Sequence, residues 1–248
     1  MNLLFDIGNT RVKAAWETNQ NLQSLPSISS TADMTFPTSW ESKAPDAIYI
    51  SSVGSKEITQ RIERWAHDLW HLNVTTIEVH QGLAGVRTRY AKPQTLGVDR
   101  WLAALGGYHI SGKQGVCVID AGTALTVDVV DDEGIHHGGL IAPGLELMVR
   151  SLTNNTAQLA LENLAVPDIF AVDTQAAISL GCADYIAGMI DRAKQRIASQ
   201  GLNVSNWYVT GGQGGLVANL ALKELDLKML DMPDLVLRGI AIAAEHLR

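Results

Sequence analysis

The chain has 248 residues, 46% hydrophobic and 18% charged, with a formal net charge of −7 and a pI near 5.4. This balance suits one large core or two modest ones and argues against any long disordered stretch. The acid surplus excludes a protein whose main work is coating nucleic acid, which needs Lys and Arg massed on one face. No apolar run approaches the roughly 20 residues that span a bilayer, and no basic-plus-apolar leader opens the chain. Cys117 and Cys182 lie in apolar surroundings, which suits buried thiols in a reducing, cytosolic compartment.

In chain order, an apolar strand at the start runs into Asp6-Ile7-Gly8-Asn9-Thr10 and then the basic pair Arg11 and Lys13. Gly8-Asn9 reads as a tight hairpin turn. A second reading is chemical: a glycine turn exposes backbone N–H groups, Thr10 adds a hydroxyl, and Asp6 at a strand end can hold a hydrated cation beside a bound phosphate. Residues 19–45, rich in Ser, Thr and Pro, read as irregular edge or loop structure inside the first half. A buried strand follows at 46–53, then an amphipathic helix at 55–72 capped by Ser55, with Ile58, Ile62, Trp65 and Leu69 on one face, and a strand at 75–79. Asp99-Arg100 opens a helix just after Gly97.

Further strands are expected at 115–121, 124–131 and 135–142, with a turn from Asp131 to Gly134. The longest helix should run from Thr174 to Ser199, its stripe made by Ile178, Cys182, Ile186, Met189 or Ile190, Ala193 and Ile197. Near the end "NWYVTGGQGG" is a strand entering a glycine turn, and "DLVLRGIAIAAEHL" is a helix. The six tryptophans read as core and interface filling. His136 and His137 point to opposite faces of a strand and lack metal-ligand spacing, so a surface or hairpin role is expected of them.

Sliding the sequence on itself exposes a repeat. "LLFDIGNTRVKA" returns in pattern as "CVIDAGTALTVD", with Asp6 falling on Asp120 and Gly8 on Gly122. A turn needed only for geometry has little reason to recur with its aspartate. The pattern is mixed α/β in two similar halves, 1–112 and 113–248. Phosphoryl transfer needs the phosphates held, their charge balanced and the acceptor hydroxyl placed in line. Two such hairpins facing each other meet the first need: Asp6, Asn9, Thr10 and Lys13 on one side, Asp120, Gly122 and Thr123 on the other. A third glycine stretch, Thr210 to Gly215, can admit a base and ribose. On spacing alone, Asp99 is either an acidic residue favoured at a helix N-terminus or a carboxylate that accepts the proton of an acceptor hydroxyl while Arg100 binds an anionic group.

The combination of Asp6–Thr10, Tyr90 with Pro93 and Leu96–Arg100, "DAGTALT" at 120–126, "GGLIAPGL" at 138–145, "DTQAAISLG" at 173–181 and "TGG" at 210–212 resembles the type III pantothenate kinases. These belong to the acetate and sugar kinase, Hsp70 and actin superfamily. The resemblance implies an α/β fold of duplicated ribonuclease H-like (actin-like ATPase) halves, each a mixed sheet flanked by helices. It also implies ATP-dependent phosphorylation of pantothenate, the first step toward coenzyme A, in a homodimer. Carried over residue by residue, Asp6, Ile7, Gly8, Asn9, Thr10, Arg11, Val12 and Lys13 would form the first ATP loop, and Thr123 would also contact ATP. Tyr90, Gly97, Val98, Asp99, Arg100 and Thr174 would bind pantothenate, with Asp99 as general base. Mg2+ would accompany ATP, and Asp120 would bind a monovalent cation, K+ or NH4+. The family commonly has Asn where this chain has Asp173. The rival readings are a kinase of the same fold acting on another small hydroxy acid, and a non-catalytic accessory protein.

Overall fold

A computed structural model describes residues 1–31, 33–153 and 170–247. Strand β1 (Asn2–Ile7) is buried along its whole length and turns at Gly8, whose N–H donates to the Arg11 carbonyl at 3.0 Å. The chain returns antiparallel as β2 (Arg11–Thr18). Part of the span expected to be irregular instead supplies the short strands β3 (Asn21–Ser24) and β4 (Ile28–Ser29), both paired to β2. β5 (Ala47–Ser52) runs parallel to β1, α1 (Lys56–Trp70) follows, and β6 (Val74–Thr76) pairs parallel to β5. The Ser55 hydroxyl caps α1 by accepting from the Glu57 N–H at 3.2 Å.

After β7 (Gly82–Leu83) and β8 (Val86–Thr88) comes α2 (Val98–Ile110), then β9 (Val116–Ala121), β10 (Ala124–Val130) and β11 (Ile135–Pro143). α3 (Leu145–Thr153), α4 (Thr174–Ser199), β12 (Asn206–Thr210), α5 (Gly214–Leu225), β13 (Leu230–Asp231) and α6 (Leu235–His246) complete the described elements. The sheets are ordered β3-β2-β1-β5-β6, with β4 beside β2, and β13-β12-β9-β10-β11-β8-β7. In each, an antiparallel hairpin carries a parallel neighbour on its first strand: β5 beside β1, β12 beside β9. The sequence repeat is therefore a structural one.

The halves exchange elements. β7 and β8 precede residue 112 yet pair into the second sheet, and the C-terminal α6 packs on β1, β2 and β5 of the first. α2 lies against β9 and β10 and crosses α6. The crossing is close enough that a Cβ at Gly106 would stand 2.6 Å from the Leu235 carbonyl, and one at Gly239 would collide with the Leu102 backbone. Small residues there let two helices fill the layer between the sheets, with Leu4, Trp101, Leu105, Val118, Tyr208 and Ile240 in one cluster. Phe5, Trp40, Ile50 and Ile62 fill the outer face of the first sheet, and α4 and α5 cover the second through Ile186, Ile190 and Val217. The tryptophans at 16, 40 and 101 are core residues, as expected. His136 departs from expectation: it is fully buried, because alternation along β11 turns it inward beneath α2 and leaves His137 half-buried against Asp131.

Candidate active site

The hairpins meet tip to tip. The Thr10 and Thr123 hydroxyls lie 3.0 Å apart. Asn9, Thr10, Arg11 and Thr123 are exposed at this junction, while Ile7 and Val12 turn their side chains into the first core and leave only backbone to face a ligand. Behind the tips stand the repeated aspartates. Burial raises Asp6 to about 7, with Lys13 opposing and the charges of Asp99 and Asp120 reinforcing. Burial likewise raises Asp120 to about 6, against the pull of Lys13 and with the push of Asp99 and Asp128. Lys13 is near Asp6 because the two are cross-strand partners in the β1–β2 ladder, and its Nζ also donates to the Pro233 carbonyl at 3.1 Å.

The third glycine turn joins the same place. Gly211 has φ of +91°, and a Cβ there would strike the Asp120 carboxylate and stand 2.6 Å from the Ala121 carbonyl. The Gln213 N–H donates to that Ala121 carbonyl at 3.0 Å, tying the turn that opens α5 to the end of β9. Backbone N–H groups at the start of α5 thus lie beside the second hairpin.

Opposite the hairpins, Gly97 is the N-cap of α2, and half-buried Val98 and Asp99 occupy its first turn. Asp99 Oδ1 accepts the Arg100 N–H at 2.8 Å. Burial raises the Asp99 pKa above the usual carboxylate value, and that hydrogen bond and the Arg100 charge offset part of the rise. Arg100 turns inward onto the second sheet. Its Nε and Nη2 donate to Asp128 at 2.8 and 2.6 Å, and its Nη1 donates to the Tyr90 hydroxyl at 3.3 Å. Burial works against the charged guanidinium, yet the Asp128 hydrogen bonds and charge prevail and hold it more firmly protonated than usual.

Asp128, His136 and Thr88 were missed in the sequence. The sheet register brings them together: Thr88 and His136 are parallel neighbours on β8 and β11, and a bulge at Val129/Val130 sets His136 within reach of Asp128. Nε2 of His136 lies 2.9 Å from Asp128 Oδ1, and its Nδ1 lies 3.1 Å from the Thr88 hydroxyl. The available signal was a charged residue inside the otherwise apolar run "LTVDVV".

A family profile for type III pantothenate kinase matches residues 2–196. A type III pantothenate kinase of Nitrosococcus oceani is 31% identical over 99% of this chain and 94% of its own length. One from Marinomonas sp. is 33% identical over 98% and 95%. The chain belongs to the type III pantothenate kinase family. Among solved structures, one described as a Baf family transcriptional activator from Campylobacter jejuni superposes with a TM-score of 0.60 at 22% identity, covering 98% of this chain and 97% of that one. The ADPNP-bound activator of 2-hydroxyisocaproyl-CoA dehydratase from Clostridium difficile superposes at 0.53, with 13% identity and coverage of 99% and 93%. A glucose- and AMPPNP-bound ROK family glucokinase from Streptomyces griseus superposes at 0.50, with 14% identity over 98% and 99%. At these identities the superpositions establish the fold, duplicated actin-like halves, and nothing more.

In this type III pantothenate kinase, Thr174 stands apart from the rest. It is exposed at the start of α4 and lines an apolar groove of about 520 Å³ with Met148, Leu152, Ile178 and Tyr185. Within the described residues no hydrogen bond joins it to Tyr90 or Arg100. Asp173 caps α4 by accepting the Ala176 N–H at 2.9 Å, a task Asn performs equally well.

A divalent cation fits the site. Two aspartates with raised proton affinity, Asp6 buried and Asp120 half-buried, share one neighbouring cation, Lys13, so positive charge is wanted. Ser51 and Thr210, the in-register neighbours of Asp6 and Asp120, carry buried hydroxyls without partners among the described residues. No group of three or more His, Cys, Asp or Glu with metal-holding geometry occurs among the described residues. That donor set matches a magnesium-type ion held by one or two carboxylates, water and substrate phosphates.

Proposed function

We propose that the chain transfers the γ-phosphoryl group of ATP to the primary hydroxyl of pantothenate, giving 4′-phosphopantothenate. The observation that carries this reading is the meeting of the Thr10 and Thr123 loops beside Asp99, with Arg100 and Tyr90 just beyond it. Asp6 to Lys13, with Thr123, cradle the phosphates; Asp6 and Asp120 would hold the divalent cation, which would supply neutralisation of the phosphate charge. Lys13 adds a fixed positive charge between the loops. Tyr90, Gly97, Val98 and Arg100 orient pantothenate so that its hydroxyl meets Asp99. A carboxylate is far weaker than an alkoxide as a base, so Asp99 orients the hydroxyl and accepts its proton late in the transfer.

Further assignments complete this reading. Asp120 also serves a monovalent cation, K+ or NH4+. A homodimer forms over the α3–α4 face, supported by exposed Leu147, Leu152 and Tyr185, and brings Thr174 of one copy toward the pantothenate site of the other. The functional units are 1–112 and 113–248, the first lending β7 and β8 to the second sheet and the second lending α6 to the first. The compartment is the cytosol, a reading supported by Cys117 and Cys182, which are buried free thiols; no described helix is long and apolar enough to cross a membrane.

The deciding experiment measures ADP release from ATP and Mg2+ with and without pantothenate, in potassium, ammonium or sodium buffer. Pantothenate-dependent release is expected, strongest with potassium or ammonium; release that depends on a different hydroxy acid would refute the substrate. Gly211→Ala tests the nucleotide side. The strained φ and the collision with Asp120 together cost about 1–3 kcal/mol, so the KM for ATP rises about tenfold or more while that for pantothenate stays near wild type. An unchanged KM for ATP would separate the third glycine turn from the nucleotide.

A further inference from the structure

We infer that His136 and Asp128 are positioning residues for pantothenate, closing a ring of hydrogen bonds that locks Tyr90 and Arg100 into one donor unit. The inference rests on the kinase reading above. The ring begins at the Tyr90 backbone, whose N–H donates to the Thr88 hydroxyl oxygen at 3.1 Å. His136 stands next, with Nδ1 3.1 Å from that hydroxyl and Nε2 2.9 Å from Asp128 Oδ1. Asp128 accepts from Arg100, and Arg100 Nη1 returns to the Tyr90 hydroxyl at 3.3 Å. The Tyr90 and His136 rings also stack, with centroids 6.0 Å apart at 21°, and Trp101 meets His136 edge-on at 6.2 Å.

The direction of the ring follows from its donors. A carboxylate paired to a guanidinium accepts only, so His136 donates from Nε2. In the neutral imidazole Nδ1 then accepts the Thr88 O–H, while Thr88 accepts the Tyr90 N–H, and each polar hydrogen has one acceptor. At the far end the Tyr90 oxygen accepts from Arg100, which leaves the phenolic proton free. The unit therefore presents to the site the Tyr90 O–H and the remaining Nη1 hydrogen of Arg100, both donors. Such a pair suits an acceptor-only group, the carboxylate end of the substrate. Thr88, Asp128 and His136 are buried and act through Tyr90 and Arg100 rather than by touching the ligand.

The test is a steady-state comparison of His136→Asn and His136→Gln. Gln extends an amide N–H to the place of Nε2 and can still donate to Asp128, whereas Asn mimics the Nδ1 side and leaves that bond unmade. His136→Asn should raise the KM for pantothenate about tenfold, the loss of one buried hydrogen bond, with kcat and the KM for ATP within about twofold of wild type. His136→Gln should recover most of that rise. Because KM does not depend on the fraction of enzyme that is folded, a merely structural defect would lower the maximal rate and leave the pantothenate KM in place. That outcome, or equal KM values for the Asn and Gln variants, would overturn the inference. If His136→Asn does not accumulate, Thr88→Val breaks the ring from its other end, and an unchanged pantothenate KM in that variant would overturn it as well. Failure of the kinase reading itself would be visible earlier, as wild-type ADP release indifferent to pantothenate.

Discussion

Asp99→Asn lowers turnover by about 10²–10⁴-fold while ATP binding stays at its wild-type level. The size is that of a positioned general base removed from a transfer it assists. The amide fits the same space at the start of α2 and can still accept the Arg100 N–H at the place of Oδ1, so the helix end survives. What disappears is the acceptor for the hydroxyl proton. The pH profile supplies a second reading. Burial, partly offset by the Arg100 hydrogen bond and charge, raises the Asp99 pKa. A protonated Asp99 cannot accept, so kcat/KM falls on the acid side, along a limb lying above the range of an ordinary carboxylate. In Asp99→Asn the Asp99 share of that limb is lost, while protonation of Asp6 and Asp120, raised by burial to about 7 and about 6, still lowers kcat/KM in acid. Isothermal titration with a non-hydrolysable ATP analogue checks binding, and single-turnover ADP formation checks chemistry. Turnover within threefold of wild type would remove Asp99 from the proton path.

Much of this arrangement is legible in local pattern, and the illegible part has a common cause. The long helix runs from Thr174 to Ser199 and brackets its stripe of Ile178, Cys182, Ile186, Ile190, Ala193 and Ile197, because an amphipathic period and an acidic cap are both local signals. The two Asp-Gly hairpins declare themselves because each is a strand, a turn and a strand in succession. β7 and β8 escape notice because strands of two and three residues have no period to detect. Their place in the second sheet depends on Arg89 and Thr88 finding partners far along the chain. His136 shows the same limit. Alternation separates it correctly from His137, but which of the two faces the core is decided by α2, and α2 sits there because its glycines admit α6. The partner of Arg100 is likewise a tertiary fact. An arginine after a helix N-terminus advertises an anion site, and only the packed structure reveals that two of its three nitrogens are already committed to Asp128.

That commitment sets the largest expected effect on stability. Asp128→Ala should destabilise the fold by about 3–5 kcal/mol, because it leaves a guanidinium buried beneath α2 with no counter-charge and takes the acceptor from His136 as well. For a chain of this size that is a fall in Tm of roughly 6–20 °C. The pair itself contributes far less than its loss removes, since burying two charges costs about as much as their attraction returns. The double variant Arg100→Met with Asp128→Leu separates the two statements. It restores an apolar, volume-filling contact and should recover most of the lost Tm, yet it lacks the charged Arg100 donor for a substrate carboxylate, keeping only the Tyr90 O–H, and should have little pantothenate-dependent turnover. Asp128→Asn falls between, keeping the shape and one acceptor while surrendering the charge. Differential scanning calorimetry on the four proteins, alongside pantothenate KM where turnover can be measured, compares the pair intact, broken, neutralised and replaced. If Asp128→Ala melts within about 2 °C of wild type, Arg100 is being solvated from outside, and the buried ion pair is not what holds the N-terminal end of α2 against the second sheet.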